Sequence, residues 1–198
     1  MNEPNAPKSE TIASENLIRN RLAAGRESPL KTYLSLTVGD VSKLRFIYYE
    51  LLMMLVAPLP GGIGYLLRKK LYPRLFASFG RGIIIGRNVT IRHPDKIFLA
   101  DGVTIDDNVV IDGRGTGDAG RRLEEGVILN RNVMVLGKNG GIRFGARTTI
   151  GANSVVVSMG GVEIGPSVML AGGCYLSAGA YQVDGANDAL MDNSAYSE

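Results

Sequence analysis

Cysteine is nearly absent from this sequence, since only Cys174 among 198 residues carries a thiol. A lone cysteine excludes an intramolecular disulfide framework. The first thirty residues are polar and lack the apolar core of a secretory signal peptide, so we expect no cleavable signal. Both absences are consistent with a cytoplasmic location, which is our expectation for this chain.

Neither sign of charge is in large excess, because the formal net charge is only +3. Residues 1–80 carry 11 Lys and Arg against 6 Asp and Glu, a difference of +5, whereas residues 81–198 carry 11 against 13, a difference of −2. A nucleic-acid-binding domain needs a basic stripe. We therefore expect no nucleic-acid partner for the longer, slightly acidic part.

The uncharged stretch over residues 51–67 is only 17 residues long and contains two prolines and a glycine pair. A straight transmembrane helix needs about 20 apolar residues. The prolines end one predicted helix, over residues 41–57, before a second begins over residues 63–71. The pattern predicts a helical hairpin within residues 30–80.

A six-residue repeat dominates the rest of the chain. Aliphatic or Phe residues recur at steps of six within each of these groups: Ile85, Ile91; Leu99, Ile105, Ile111; Leu129, Val135; Phe144, Ile150, Val156; and Ile164, Leu170, Leu176. This period fits neither a helix nor simple strand alternation. It fits a short strand and a turn, repeated three times to form one triangular coil. Because a single coil cannot bury its own faces, stability requires a stack of coils.

Three stretches carry a resemblance to a known family: residues 150–155 (Ile-Gly-Ala-Asn-Ser-Val), 164–169 (Ile-Gly-Pro-Ser-Val-Met) and 129–134 (Leu-Asn-Arg-Asn-Val-Met). They resemble the hexapeptide repeats of left-handed parallel β-helix acyltransferases, among them the polysaccharide-associated O-acetyltransferases. The resemblance implies a mainly β fold, in which a left-handed parallel β-helix over residues 81–176 follows an N-terminal helical element.

The resemblance also implies a function. Enzymes of this family transfer an acyl group, usually from acetyl-coenzyme A, and form homotrimers with active sites between neighbouring subunits. We therefore expect an O-acetyltransferase that uses acetyl-CoA as co-substrate and acts on a sugar, a glycolipid or a cell-surface or exopolysaccharide precursor. A zinc carbonic anhydrase on the same fold would need three histidine ligands. The single histidine excludes it, and we expect no metal.

The remaining segments are assigned around the coils. We expect residues 1–29 to be a disordered tail and residues 177–198 to be a loop that leads into a truncated continuation of the coils. Two interpretations of the hairpin stay open. It either caps the first coil, because solenoid ends need covering, or places residues 40–76 on the inner leaflet, with basic side chains near anionic headgroups.

Two segments interrupt the six-residue step, residues 112–126 and residues 137–141. Both are glycine-rich and polar, which predicts external loops that either contact substrate or are insertions without a role. Residues 113–120 lack the Gly-Lys-Ser/Thr of a phosphate-binding P-loop, so that motif is excluded.

Acyl transfer to a hydroxyl group needs a proton acceptor, and the family uses a histidine. His93, the sole imidazole in the sequence, is therefore the candidate catalytic base. The alternative is a turn histidine that bonds to the backbone. Tyr181, Gln182 and Asp184 occupy the position of a family loop and are candidate substrate-binding residues, with a solvated loop as the alternative.

A non-catalytic β-helix scaffold or binding module is the alternative function. The family's donor groove usually ends in an Asn-Pro-Ala-like segment, and this sequence contains none. We therefore assign no cofactor-binding residues and expect residues 1–198 to bind coenzyme A weakly or not at all.

Overall fold

A computed structural model describes residues 28–117, 119–137, 140–181 and 196–197. Residues 1–27 of the predicted tail lie outside these ranges. Helices come first: α1 Pro29–Thr37, α2 Lys43–Leu51 and α3 Gly61–Leu71, with a π-helical segment Leu52–Val56 after α2 and 3-10 turns at Tyr72–Arg74 and Pro94–Lys96.

Short strands and turns alternate from residue 78 onward. The strands are β1 Ser78–Phe79, β2 Ile84–Ile85, β3 Thr90–Arg92, β4 Ile97–Leu99, β5 Thr104–Ile105, β6 Val110–Asp112, β7 Arg121–Leu123, β8 Ile128–Leu129, β9 Met134–Gly137, β10 Ile142–Phe144, β11 Thr149–Ile150, β12 Val155–Ser158, β13 Val162–Ile164, β14 Met169–Leu170, β15 Tyr175–Ala178, β16 Ala180–Tyr181 and β17 Tyr196–Ser197.

Every third strand up to β15 pairs in parallel with its equivalent in the next coil. The result is three five-stranded sheets: sheet A holds β1, β4, β7, β10 and β13, sheet B runs from β2 to β14, and sheet C runs from β3 to β15. The predicted fold is confirmed: the protein is mainly β, a parallel β-solenoid of five coils preceded by helices. The left-handed sense of the coil stays a prediction from the resemblance.

The repeated apolar side chains form the core of this stack. On sheet B the register neighbours are Ile85, Ile105, Leu129, Ile150 and Leu170. The first four are buried and Leu170 is half-buried. Each fully buried side chain of this kind contributes about 1.5–3 kcal/mol, so the ladder explains why the six-residue period persists through the chain.

Two of the three corners are turned by single residues with φ between 54° and 76°. These are Gly82, Gly102, Gly126, Arg147 and Ser167 between sheets A and B, and Asn88, Asn108, Asn132, Asn153 and Gly173 between sheets B and C. Glycine and asparagine tolerate this left-handed conformation best. The backbone N–H groups of Asn108 and Asn132 donate to Arg87 and Asp107 in the preceding coil, at 3.0 and 3.2 Å. The corners therefore link successive coils.

The third corner corrects one prediction. Residues 112–126 were expected to form one external loop, but Arg121 and Leu123 are buried in strand β7 of sheet A. The excursion is therefore limited to residues 113–120. The polarity of the segment was misleading because the Arg121 side chain is buried and bonded to backbone carbonyl groups, as described below.

The helices cover the first coil. Tyr49, Leu52 and Val56 belong to the same apolar core as Ile85 and Ile91. The Tyr49 hydroxyl donates to the carbonyl oxygen of Ile91 at 2.6 Å. Capping is thus one role of the hairpin. In the described part of the chain, no helix is long and apolar enough to cross a membrane.

The helix boundaries differ from the sequence prediction in two ways. The first hairpin helix begins after Ser42, whose hydroxyl accepts from the Arg45 N–H at 3.3 Å, rather than at residue 41. Helix α1 was not predicted, because its nine residues fall at the boundary between the segment assigned to the tail and the start of the hairpin.

Candidate functional site

The corner that joins sheet C to sheet A carries the loops of the solenoid. Strand β6 leads into residues 113–120, and β9 precedes Gly140 and Gly141, which lead into β10. These loops approach closely: a Cβ added to Gly141 would lie 2.7 Å from the Ala119 Cβ. Residue 141 has no space for a side chain, which explains the glycine at this position.

Arg121 ties this corner together from inside. Its side chain is fully buried, and its Nε donates to the Asp112 carbonyl oxygen at 2.9 Å. Its Nη1 donates to the Gly140 carbonyl oxygen at 2.8 Å and its Nη2 to that of Arg114 at 3.2 Å. Burial lowers the pKa of Arg121 to about 10, although the negative charge of Asp112 raises the pKa and so offsets part of this effect. Three backbone acceptors from two coils thus solvate one buried cation.

Gly137 is part of the same arrangement. A Cβ at this position would lie 1.4 Å from the Arg121 Nη2. The guanidinium therefore occupies the space that any larger residue at the end of β9 would need. The buried arginine and the glycine in the next coil are a matched pair.

A groove of about 430 Å³ lies on the outer face of sheet A beside this corner. Phe98, Arg122, Arg143 and Glu163 are register neighbours on successive strands, and the last three line the groove. Ala119, Gly141 and Gly161 line it as well. A column of charged side chains thus runs across three coils.

The two guanidinium groups are held by different partners. Arg122 lies over the Phe98 ring, 4.1 Å from its centroid, and its Nε donates to the Ala119 carbonyl oxygen at 3.1 Å. Arg143 lies between two carboxylates: its Nε donates to Glu124 Oε1 at 2.8 Å and its Nη1 donates to Glu163 Oε1. Glu124 and then Glu163 raise the pKa of Arg143, so this side chain stays cationic.

The column itself carries two guanidinium groups and one carboxylate, and Glu124, which pairs with Arg143 from outside the groove lining, balances the second cation. Adjacent donors and acceptors on an open face are suited to a neutral ligand with several hydroxyl groups. Among the residues that the structure describes, no group of three or more His, Cys, Asp or Glu side chains is arranged to hold a metal ion.

His93 lies at the opposite end of the stack from the last coil, in the turn after β3. Its φ is 48°, and its Nε2 lies 2.9 Å from the Ser35 carbonyl oxygen, which accepts the hydrogen bond. Gly39 passes the ring so closely that a Cβ there would lie 3.0 Å from Cε1. Burial lowers the pKa of His93, partly offset by the bond to Ser35. The ring contacts the helical cap and is half-buried beneath it.

Of the other predicted site residues, Tyr181 is the one that the structure describes. Tyr181 is in β16, whose backbone pairs antiparallel with β17, while Gln182 and Asp184 lie outside the described residues. His93 follows β3 and Tyr181 follows β15, the two outer strands of sheet C. Four strand spacings of about 4.8 Å separate those strands by roughly 19 Å. Within one chain, the structure does not bring these two residues together.

Sequence reasoning missed the charged column of sheet A, although a signal was present. Leu123 lies six residues before Leu129, so the repeat extends back into the segment that was taken as a loop. Phe98, Arg122, Arg143 and Glu163 each directly precede an inward residue of sheet A. Aligning the coils on the inward residues would have revealed the outward ones.

Comparisons with known proteins do not name a family for this chain. No protein-family model matches it, and no curated protein matches it.

Proposed function

We propose that this protein is an acyltransferase that uses acetyl-CoA to O-acetylate a sugar or a cell-surface or exopolysaccharide precursor. The observation that carries the proposal is the groove on sheet A, where two guanidinium groups and a carboxylate lie on successive strands of a solenoid built from acyltransferase-like hexapeptides. Closely spaced donors and acceptors match the hydroxyl groups of a sugar. The fold alone is not sufficient evidence for acyl transfer, because one fold can host several chemistries.

In the proposed reaction, a hydroxyl oxygen of the acceptor attacks the thioester carbonyl carbon of acetyl-CoA. Glu163 removes the hydroxyl proton as the new C–O bond forms. The C–S bond then breaks, and coenzyme A leaves as a thiol after taking up the proton. A guanidinium in the same groove, that of Arg122, donates to the carbonyl oxygen as negative charge develops on it.

Assembly and location follow from the same proposal. The protein acts as a homotrimer in the cytoplasm, peripheral to the inner membrane, where acetyl-CoA and lipid-linked sugar precursors meet. The three parallel sheets give the solenoid three outer faces that support packing between copies.

A non-catalytic scaffold is the second candidate, and one observation favours it. His93 is the only histidine, and its Nε2 is bonded to the Ser35 carbonyl oxygen under the cap. An imidazole in this position stabilises the junction between the cap and the first coil rather than accepting a proton from a substrate.

The test is release of free coenzyme A and formation of an acetyl ester, with purified protein, a panel of sugar acceptors and millimolar acetyl-CoA. The high donor concentration allows for weak donor binding. We expect Glu163→Gln to lower kcat by about a hundredfold or more, the range for losing a general base. Glu125→Gln is the matched control, because Glu125 is an exposed carboxylate of the third coil that does not line the groove.

His93→Gln separates the two candidate bases and is expected to retain full activity. A hundredfold loss in His93→Gln with unchanged Glu163→Gln would assign the base to His93 and contradict our assignment. No transfer by folded wild-type protein to any acceptor would favour the scaffold.

A further inference from the structure

The helical cap has a second face that the solenoid does not use. Its large apolar residues Leu44, Ile47, Leu51, Met54, Leu55, Ile63 and Leu66 are between 46% and 81% exposed. Those on α2 and the π-helical segment recur at steps of three and four, so they form one stripe. Contiguous exposed apolar surface of this kind marks a binding surface.

The two helices of the hairpin present their stripes on one side. Helix α3 runs back along the π-helical segment toward the start of α2: the Arg68 Nη1 donates to the Val56 carbonyl oxygen at 3.1 Å, and the Tyr48 hydroxyl donates to that of Leu71 at 2.8 Å. A Cβ added to Gly64 would lie 2.0 Å from the Leu59 carbonyl oxygen, so the chain segments touch there. Because both helices bury their other face against the first coil, the stripes point away from it.

Basic side chains gather at one end of this surface. Lys43, Lys69, Lys70 and Arg74 are exposed, near the start of α2 and the end of α3. Antiparallel packing brings these two ends together, and the Arg45 Nη2 donates to the Leu75 carbonyl oxygen at 3.1 Å. Residues 41–76 carry six Lys and Arg and one acidic residue, Glu50. An apolar stripe with a basic end is complementary to a lipid leaflet with anionic headgroups.

We propose that this surface, Leu44 to Leu66 with its basic end, docks the protein on an anionic lipid bilayer. The hairpin lies parallel to the membrane plane with the apolar stripe among the acyl chains, while its opposite face stays packed on the first coil. The solenoid axis then points away from the bilayer, and the sheet A groove stands above it. The docking proposal extends the proposed peripheral location, and it does not depend on the proposed acyl-transfer chemistry.

The test is co-flotation of the full chain with vesicles of phosphatidylcholine alone or with added phosphatidylglycerol. We expect binding to the anionic vesicles that weakens as salt is raised. Lys69→Gln combined with Lys70→Gln should lower the partition coefficient by roughly tenfold or more, since each basic residue near an anionic surface raises that coefficient by about fivefold. Ile63→Ser combined with Leu66→Ser should abolish binding.

Met169→Ser is the matched control. Met169 is 80% exposed, similar to the 75% and 62% of Ile63 and Leu66, but it lies on the fifth coil. It should leave vesicle binding unchanged. Circular dichroism checks that each variant is folded, and the exposed positions make loss of folding unexpected.

Two flotation outcomes overturn the docking surface. One is no flotation with anionic vesicles, and the other is flotation that the helix variants and the Met169 control affect equally. Ultracentrifugation shows whether Ile63→Ser with Leu66→Ser instead dissociates an oligomer, which would assign the stripe to a second copy and also overturn the proposal. Acetyl transfer to a soluble acceptor without vesicles tests the chemistry separately, and the Ile63→Ser, Leu66→Ser variant should retain it.

Discussion

Leu129 and Leu170 allow a matched test of the stacked core. They are register-related leucines of sheet B, two coils apart, on either side of Ile150. Leu129 is fully buried and Leu170 is half-buried in the fifth coil. Chemistry and position within the coil are therefore the same, and only the depth in the stack differs.

The expected cost of truncation follows from this difference. Leu→Ala removes three carbon groups, worth about 0.8 kcal/mol each, or about 2.4 kcal/mol at full burial. The cavity left between Ile105 and Ile150 raises the cost of Leu129→Ala toward about 4 kcal/mol. At Leu170 most but not all of the transfer free energy is at stake and the cavity opens outward, which gives about 1.5–2 kcal/mol.

Urea unfolding followed by circular dichroism measures both free energies of unfolding. A shared m-value for the two variants and the wild type is needed for the comparison. Equal losses in the two variants, or a loss below about 1 kcal/mol for Leu129→Ala, would refute the view that inward stacking stabilises the coils in proportion to burial.

Two further predictions concern the cap and the loop corner. Burial lowers the pKa of His93 below its ordinary 6.5, so the unfolded chain binds more protons, and stability falls as the pH drops through about 6.5. Lowering the pH from about 7.5 to 5.5 should therefore reduce the unfolding free energy of the wild type more than that of His93→Gln, as urea denaturation at each pH would measure. Parallel curves of unfolding free energy against pH would contradict this. Gly137→Ala should cost about 1–3 kcal/mol of unfolding free energy, because its Cβ would overlap Arg121. Gly160→Ala is its control, since a Cβ there has no atom within 4 Å, and equal melting temperatures would disprove the contact.

The six-residue period was sufficient to predict the solenoid, because each inward residue repeats the same burial requirement in every coil. Ile111, Val135 and Val156 were placed in the core from spacing alone, and all three are fully buried. Eight of the ten residues that turn these corners with positive φ are asparagine or glycine, and the exceptions are Arg147 and Ser167. Local periodicity thus carries most of the information for a fold whose contacts are between adjacent coils.

The candidate site was harder to predict, because it depends on the outward residues, which follow no hydrophobic rule. Arg121 was assigned to a loop because charged side chains are seldom fully buried, and its partners are backbone carbonyl groups that no sequence pattern marks. His93 was singled out as the only imidazole, yet its hydrogen bond to Ser35 links residues 58 positions apart. Such a contact with a helix that was not predicted cannot be read from spacing.

The left-handed corner residues also reveal where this architecture admits change. The interval from the first corner to the second is six residues in every coil: Gly82 to Asn88, Gly102 to Asn108, Gly126 to Asn132, Arg147 to Asn153 and Ser167 to Gly173. The interval from the second corner onward to the first corner of the next coil varies: 14 residues from Asn88, 18 from Asn108, 15 from Asn132 and 14 from Asn153. All variation in the length of a coil thus lies between the second corner and the next first corner, the interval that contains the turn from sheet C to sheet A. Foreign peptides grafted at that turn would project from one side of the solenoid, while the stacked strands keep their register.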